Sequence, residues 1–217
     1  MYLKKMTLIL IIGIICSFSV RAFGTVFPQI FKNVYMVKIT ILVHFFFIMS
    51  HLLFWVFFYK EYASTKTAVL KKACVLVIIG SVAVAVLYIR NIPFVFDMRV
   101  FPPLFLMSPY VDAFVPFVST IFQLIFFIAF RNAAESKERE VLHKPIVAII
   151  AGISFFLCFH LIVILNFLSA NQFERFEHIP RIVVAGTVPF LIAAVFLILY
   201  FYFRFYCFLD SRYENEA

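Results

Sequence analysis

Three histidines stand inside runs of otherwise apolar residues: His44, His51 and His160. An imidazole can ligate a metal or haem iron, shuttle a proton, or hydrogen-bond a polar solute, and in apolar surroundings its hydrogen bonds strengthen. His44 and His51 are seven residues apart, about 10.5 Å along a helix. Trp55 follows His51 by four, so the three form one stripe on a helix face. Asp112, Ser119 and Gln123 form a second polar stripe further along the chain. Thr187 stands two residues before Pro189. A mid-helix proline frees the carbonyl four residues back, at Ala185 here and at Asp112 for Pro116.

Two chemistries fit these residues. His44 and His160, at matched depth on different helices, are the arrangement that axial ligation of a b-type haem or a metal site requires. Alternatively, His44, His51, Ser119, Gln123, His160 and Thr187 line a small polar cavity that binds a solute. No H-E-x-x-H, G-x-S-x-G or Walker sequence occurs. A Ser–His pair drawn from Ser154 or Ser119 with His160 is not singled out by spacing. Cys16, Cys74, Cys158 and Cys207 form no C-x-x-C pair and read as buried thiols acting as small hydrophobes.

The elements that position these groups follow from composition. Of the 217 residues, 65% are hydrophobic and 14% charged, and Phe alone supplies 32. The mean hydropathy is +1.06. An ordinary soluble domain is about 45–50% apolar and about 25% charged. A water-soluble globule of this size has nowhere to hide such a surface, and a disordered chain, a coiled coil and a disulfide-stapled domain are excluded with it. The expectation is a single all-α integral membrane domain over residues 1–217, a polytopic transmembrane helix bundle.

A spanning helix needs about 20 apolar residues, and six stretches qualify: 6–20, 34–59, 73–89, 111–130, 146–168 and 182–206. They are apolar on every face, unlike the alternating strands of outer-membrane barrels. The first, with Lys4 and Lys5 before it and Ser17–Ala22 after it, has the outline of a cleavable signal peptide but serves equally as a retained helix. Retention is expected.

Lys and Arg sit in short clusters between the runs. Six spans with a cytoplasmic N-terminus put 12 of them on inner segments and 7 on outer ones, so both termini are expected in the cytoplasm, with the plasma (inner) membrane as the host. The net charge of +8 therefore speaks of topology and not of nucleic acid. Residues 131–144 read as a charged helical extension of the fourth span, with Pro145 in the first turn of the fifth. Residues 91–110 carry four prolines in an apolar, aromatic stretch and read as an interfacial outer loop. Residues 171–181 read as a solvated turn containing His178, and His143 too lies outside the spans.

No Asp, Glu, Lys or Arg lies near the middle of any span, which argues against ion-coupled transport. The expected function is non-enzymatic: binding or transport of a small neutral or amphipathic solute, alone or as the membrane subunit of a complex. Segments 60–72 and 131–144 are candidate docking surfaces for a partner or for anionic lipid. The alternatives are a haem-binding electron-transfer subunit using His44 and His160, and a structural or assembly subunit.

Overall fold

The structure, a computed structural model, describes residues 2–26, 34–90, 92–96, 109–169 and 181–215. Among these residues the elements are α1 (Tyr2–Val26), α2 (Val34–Glu61), α3 (Ala68–Ile89), α4 (Ile92–Phe96), α5 (Pro109–Ala133), α6 (Ser136–Ser169) and α7 (Arg181–Asn215). A 3-10 turn over Ala63–Thr65 joins α2 to α3. All but the short α4 are long and apolar enough to cross a membrane. Runs of Ile, Val and Phe would favour strands in water. In lipid every backbone N–H and C=O must be satisfied within its own segment, and the helix does that. Six such helices are those of a multi-pass membrane protein, and large hydrophobic residues such as Ile79, Val86, Phe196 and Phe203 stand exposed on their outer faces, as contact with a lipid bilayer requires.

The six long helices close a ring in chain order. α1 packs on α2, α2 on α3, α3 on α5, α5 on α6, α6 on α7, and α7 back on α1. Polar ties at one end fix its closure. The Leu3 N–H donates to Glu61 Oε2 at 3.1 Å, and the Lys4 ammonium pairs with Asp210. The start of α1 therefore meets the ends of α2 and α7, and both termini of the described chain lie at this termini end. Lys66, after the 3-10 turn, pairs with Glu135 and, at 2.9 Å, with Glu138, joining the α2–α3 connection to the α5–α6 connection. Burial pulls the Lys66 ammonium down, but its hydrogen bonds to Glu135 and Glu138 outweigh that and hold it above the ordinary lysine value. The same hydrogen bond and charge hold the Glu135 carboxyl below the ordinary carboxylate range.

Close helix crossings depend on three glycines, one on each helix that runs away from the termini end. A Cβ at Gly13 of α1 would sit 2.8 Å from Ser50 Oγ of α2. At Gly80 of α3 it would meet Ser119 Oγ at 3.0 Å and the Ser119 Cα at 3.1 Å, on α5. At Gly152 of α6 it would meet the Ala194 carbonyl of α7 at 3.0 Å. Small residues let membrane helices approach until their backbones touch, which replaces the missing hydrophobic drive between them.

The three returning helices fill the ring at the termini end with aromatic rings. Trp55 and Phe58 of α2, Phe126, Phe127 and Phe130 of α5, and Phe201 and Phe205 of α7 are all buried. Trp55 meets Phe126 edge to face at 4.6 Å between centroids, Phe127 meets Phe201 at 5.0 Å, and Phe58 meets Phe205 at 5.7 Å. α2, α5 and α7 are alternate members of the ring, so these contacts cross its centre and seal it.

Two expectations change. Residues 131–144 do not extend the fourth span: α5 stops at Ala133, and the charged stretch opens α6, which runs unbroken through Pro145. The cause is local capping. The Arg139 N–H bonds the Glu135 carbonyl at 2.7 Å, and Glu138 Oε2 accepts from the Glu135 N–H at 3.2 Å, which together start a helix at Ser136. The cysteines also divide. Cys74 is buried, whereas Cys16, Cys158 and Cys207 are exposed on outer helix faces, where an apolar thiol suits lipid as well as a core. The Pro-rich stretch 91–110 is described over Ile92–Phe96, where α4 packs on α2, and from Pro109 onward. Its residues 97–108, and the turn 170–180 with His178, lie outside the described residues.

Candidate functional site

The α2–α3 seam carries the first polar stripe. The two helices run antiparallel in a register that repeats every seven residues. The His44 ring lies flat against Tyr88 at 6.3 Å, and His51 Nδ1 is 3.3 Å from Ser81 Oγ. Beyond this pair, the Cys74 thiol donates to the Trp55 carbonyl at 3.8 Å. His44 Nδ1 also lies 2.8 Å from the Thr40 carbonyl, its own helix one turn back.

In the half of the ring away from the termini, where the aromatic rings stop, the centre opens into a cavity of about 850 Å³. All six spanning helices contribute to its wall: Ser17 from α1, His51 from α2, Ser81 from α3, Ser119 and Gln123 from α5, His160 from α6 and Tyr202 from α7. The rest of the wall is chiefly Ile, Val, Leu and Phe. Its size falls in the ordinary range for a small-molecule site, about 300–1,000 Å³. Among the described lining residues none is Asp, Glu, Lys or Arg. Tyr202 and His51 connect the cavity to the aromatic seal: Tyr202 meets Phe54 edge to face at 5.2 Å, and the Trp55 Nε1–H donates to His51 Nε2 at 3.0 Å.

That last bond fixes the state of His51. An indole nitrogen only donates, so Nε2 must accept. A neutral imidazole then carries its hydrogen on Nδ1, which donates to Ser81 Oγ. His51 therefore cannot take a proton from Ser81 in this arrangement, and the pair is not a nucleophile–base dyad. The hydroxyl of Ser154 is likewise committed, donating to the Ile150 carbonyl at 2.8 Å.

Of the six residues expected to bind a solute, the structure brings His51, Ser119, Gln123 and His160 to one cavity wall. His44 is buried against Tyr88 and is not among the lining residues. Thr187 lies on α7 directly before the lining residue Val188, with its side chain outside the described set. A haem held by His44 and His160 needs both rings to face one space; His160 faces the cavity and His44 faces α3. Among the described residues, no group of three His, Cys, Asp or Glu is placed to hold a metal ion. Ser81 was not foreseen. A lone serine in an apolar span carries no signal by itself, and only the antiparallel register with His51 reveals it.

No protein-family model, no curated protein and no solved structure matches the chain. Fold and site together define a multi-pass membrane protein with a central cavity walled by all of its spanning helices.

Proposed function

We propose that this protein binds a small neutral or amphipathic solute in the central cavity, as a non-enzymatic membrane protein whose termini face the cytoplasm of the plasma (inner) membrane. One observation carries the reading: polar groups from six different helices converge on an otherwise apolar space with no Asp, Glu, Lys or Arg among its described lining residues. An apolar body with a few hydrogen-bonding atoms suits such a wall, and an ion does not. The aromatic seal below the cavity makes this a binding state closed toward the termini, and transport would require Phe58, Phe126 and Phe205 to part.

The orientation follows from the exposed Lys60, Lys72, Arg131, Arg139 and Lys144 at the termini end, which suit the cytoplasmic side. The same residues offer segments 60–72 and 131–144 to anionic headgroups or to a partner subunit.

The test is purification in mild detergent, with mass spectrometry of bound small molecules and an absorption spectrum. A stoichiometric neutral small molecule, lost on replacing Gln123 and His160 together by Leu, is the expected result. A Soret band abolished by His160→Ala overturns the reading in favour of haem. A partner chain in fixed stoichiometry, with no bound molecule, overturns it in favour of an assembly subunit.

A further inference from the structure

The hydrogen-bond inventory of the cavity has a direction. Trp55 donates to His51, and His51 donates to Ser81, through bonds of 3.0 and 3.3 Å. Ser81 Oγ thus receives a hydrogen, and its own hydrogen must go elsewhere than His51. Ser81 is among the residues that line the cavity, so a hydrogen barred from His51 can be offered there. Chains of this kind polarise one another, so the terminal hydroxyl is a stronger donor than an isolated serine. The threonine hydroxyls on the wall are spent differently: Thr40 donates to the Met36 carbonyl and Thr120 to the Pro116 carbonyl, each at 2.8 Å.

A second group is placed beside the first. The crossing of α3 and α5 at Gly80 and Ser119 brings Ser81, the next residue, into the layer of Ser119. One turn along α5 stands Gln123, whose amide lines the cavity and makes no hydrogen bond to the described residues. Its –NH₂ offers two further donors.

We propose that the cavity takes an uncharged amphiphile whose head is a carbonyl, of the ketone or ester type, accepting hydrogen bonds from Ser81 and Gln123 while its apolar body lies among the Ile, Val, Leu and Phe side chains. This rests on the solute-binding reading above and names its ligand class. A carboxylate would enter without a Lys or Arg to compensate it, and an ammonium without an Asp or Glu, among the described lining residues.

The test uses the full chain in lipid nanodiscs and its single tryptophan, Trp55, which is one hydrogen bond from the cavity. Four probes share a twelve-carbon chain bearing a terminal bromine as a contact quencher: a methyl ketone, the plain alkane, a carboxylate and a primary amine, all at pH 8. The ketone is expected to quench Trp55 at about tenfold lower concentration than the alkane, the amount one good hydrogen bond supplies. Ser81→Ala and Gln123→Leu should each narrow the gap between the ketone and alkane curves measured on the same variant, with a wild-type-like unfolding transition showing that the variant is folded. Equal curves for ketone and alkane overturn the carbonyl head but leave the cavity as a solute site. A carboxylate or amine that quenches best overturns the uncharged head. Quenching by none of the four above the level in protein-free lipid controls containing free indole overturns the solute-binding reading as well.

Discussion

A methyl group added to Gly80 tests the crossing that places Ser81 beside Ser119. In a helix interior, Gly→Ala is ordinarily favourable by about 1 kcal/mol, because the glycine backbone has more freedom to lose. Here the new Cβ would lie 3.0 Å from Ser119 Oγ and 3.1 Å from both Ser119 Cα and Phe122 Cδ2. One of those atoms is backbone, so α5 itself must move, and overpacking of this kind costs about 1–3 kcal/mol. The balance is a net loss of up to about 2 kcal/mol. Gly13→Ala makes the informative comparison. Its worst contact is Ser50 Oγ at 2.8 Å, with the Phe47 Cα already back at 3.4 Å. Deleting that oxygen in the Gly13→Ala, Ser50→Ala double variant removes the clash, at the expense of the Ser50 hydroxyl's bond to the Phe47 carbonyl, about 1 kcal/mol or less. The Gly13–Ser50 cycle should therefore show a favourable coupling of about 1–2 kcal/mol, and the Gly80–Ser119 cycle about half a kcal/mol, because backbone and Phe122 still obstruct the second site. Unfolding in detergent, followed by Trp55 emission, measures all six variants. A Gly80→Ala protein more stable by the full propensity gain, or two cycles of equal coupling, would refute the close crossings.

Further tests address the two ends of the ring. Phe58→Ala leaves a void among Trp55, Phe126 and Phe205 and should lower stability by about 3–5 kcal/mol, read by the same unfolding assay; a loss below about 1 kcal/mol would mean the centre is not sealed by these rings. In a version whose native cysteines are replaced by serine or alanine, Gln123→Cys should react with an impermeant maleimide only from the membrane face opposite the termini. Adding Phe58→Ala should open reaction from the termini side. At the termini end, Lys66 stands above its ordinary value of 10.5 and Glu135 below its ordinary 4.5. Their contribution to stability is fully present between those two values. It falls as pH drops from 4.5 through the lowered carboxyl value, and as pH rises above 10.5 through the raised ammonium value. Unfolding measured in K66M should lose both dependences, and Glu138→Gln should cost more than Glu135→Gln, since the Glu138 side chain is 10% exposed and that of Glu135 70%.

How much of this was legible in the sequence depends on what enforced each feature. The six spans were, because lipid admits few solutions: a segment apolar on all sides must be a helix long enough to cross. The stripe of His44, His51 and Trp55 was legible too, since helical periodicity puts them on one face, and that face lies along the α3 seam. What the period could not say is which part of the stripe borders open space. His51 does and His44 does not, and the difference arises from Tyr88, which covers one ring, and Ser81, which leaves the other at the cavity's edge. That pairing is a matter of register between two helices, and a single chain of apolar residues does not encode register in any local pattern. The start of α6 was missed for the opposite reason: Glu135 and Arg139 fit a surface pair four residues apart, but Lys66, reached only through the fold, takes the Glu135 carboxylate, and Glu138 turns back to cap. The polar groups that matter most are thus those whose partners lie on another helix. For the same reason the donor chain from Trp55 to Ser81 is more informative than any of its members, since Trp55 fixes the proton on His51 and His51 then bars the Ser81 hydrogen from itself. Replacing Trp55 by Phe releases that constraint, so nitrogen NMR of the labelled imidazole should show His51 shifting from the pure Nδ1–H form toward a mixture of tautomers. A spectrum already mixed in the wild-type protein would remove the directed donor, and with it the reason for a carbonyl head.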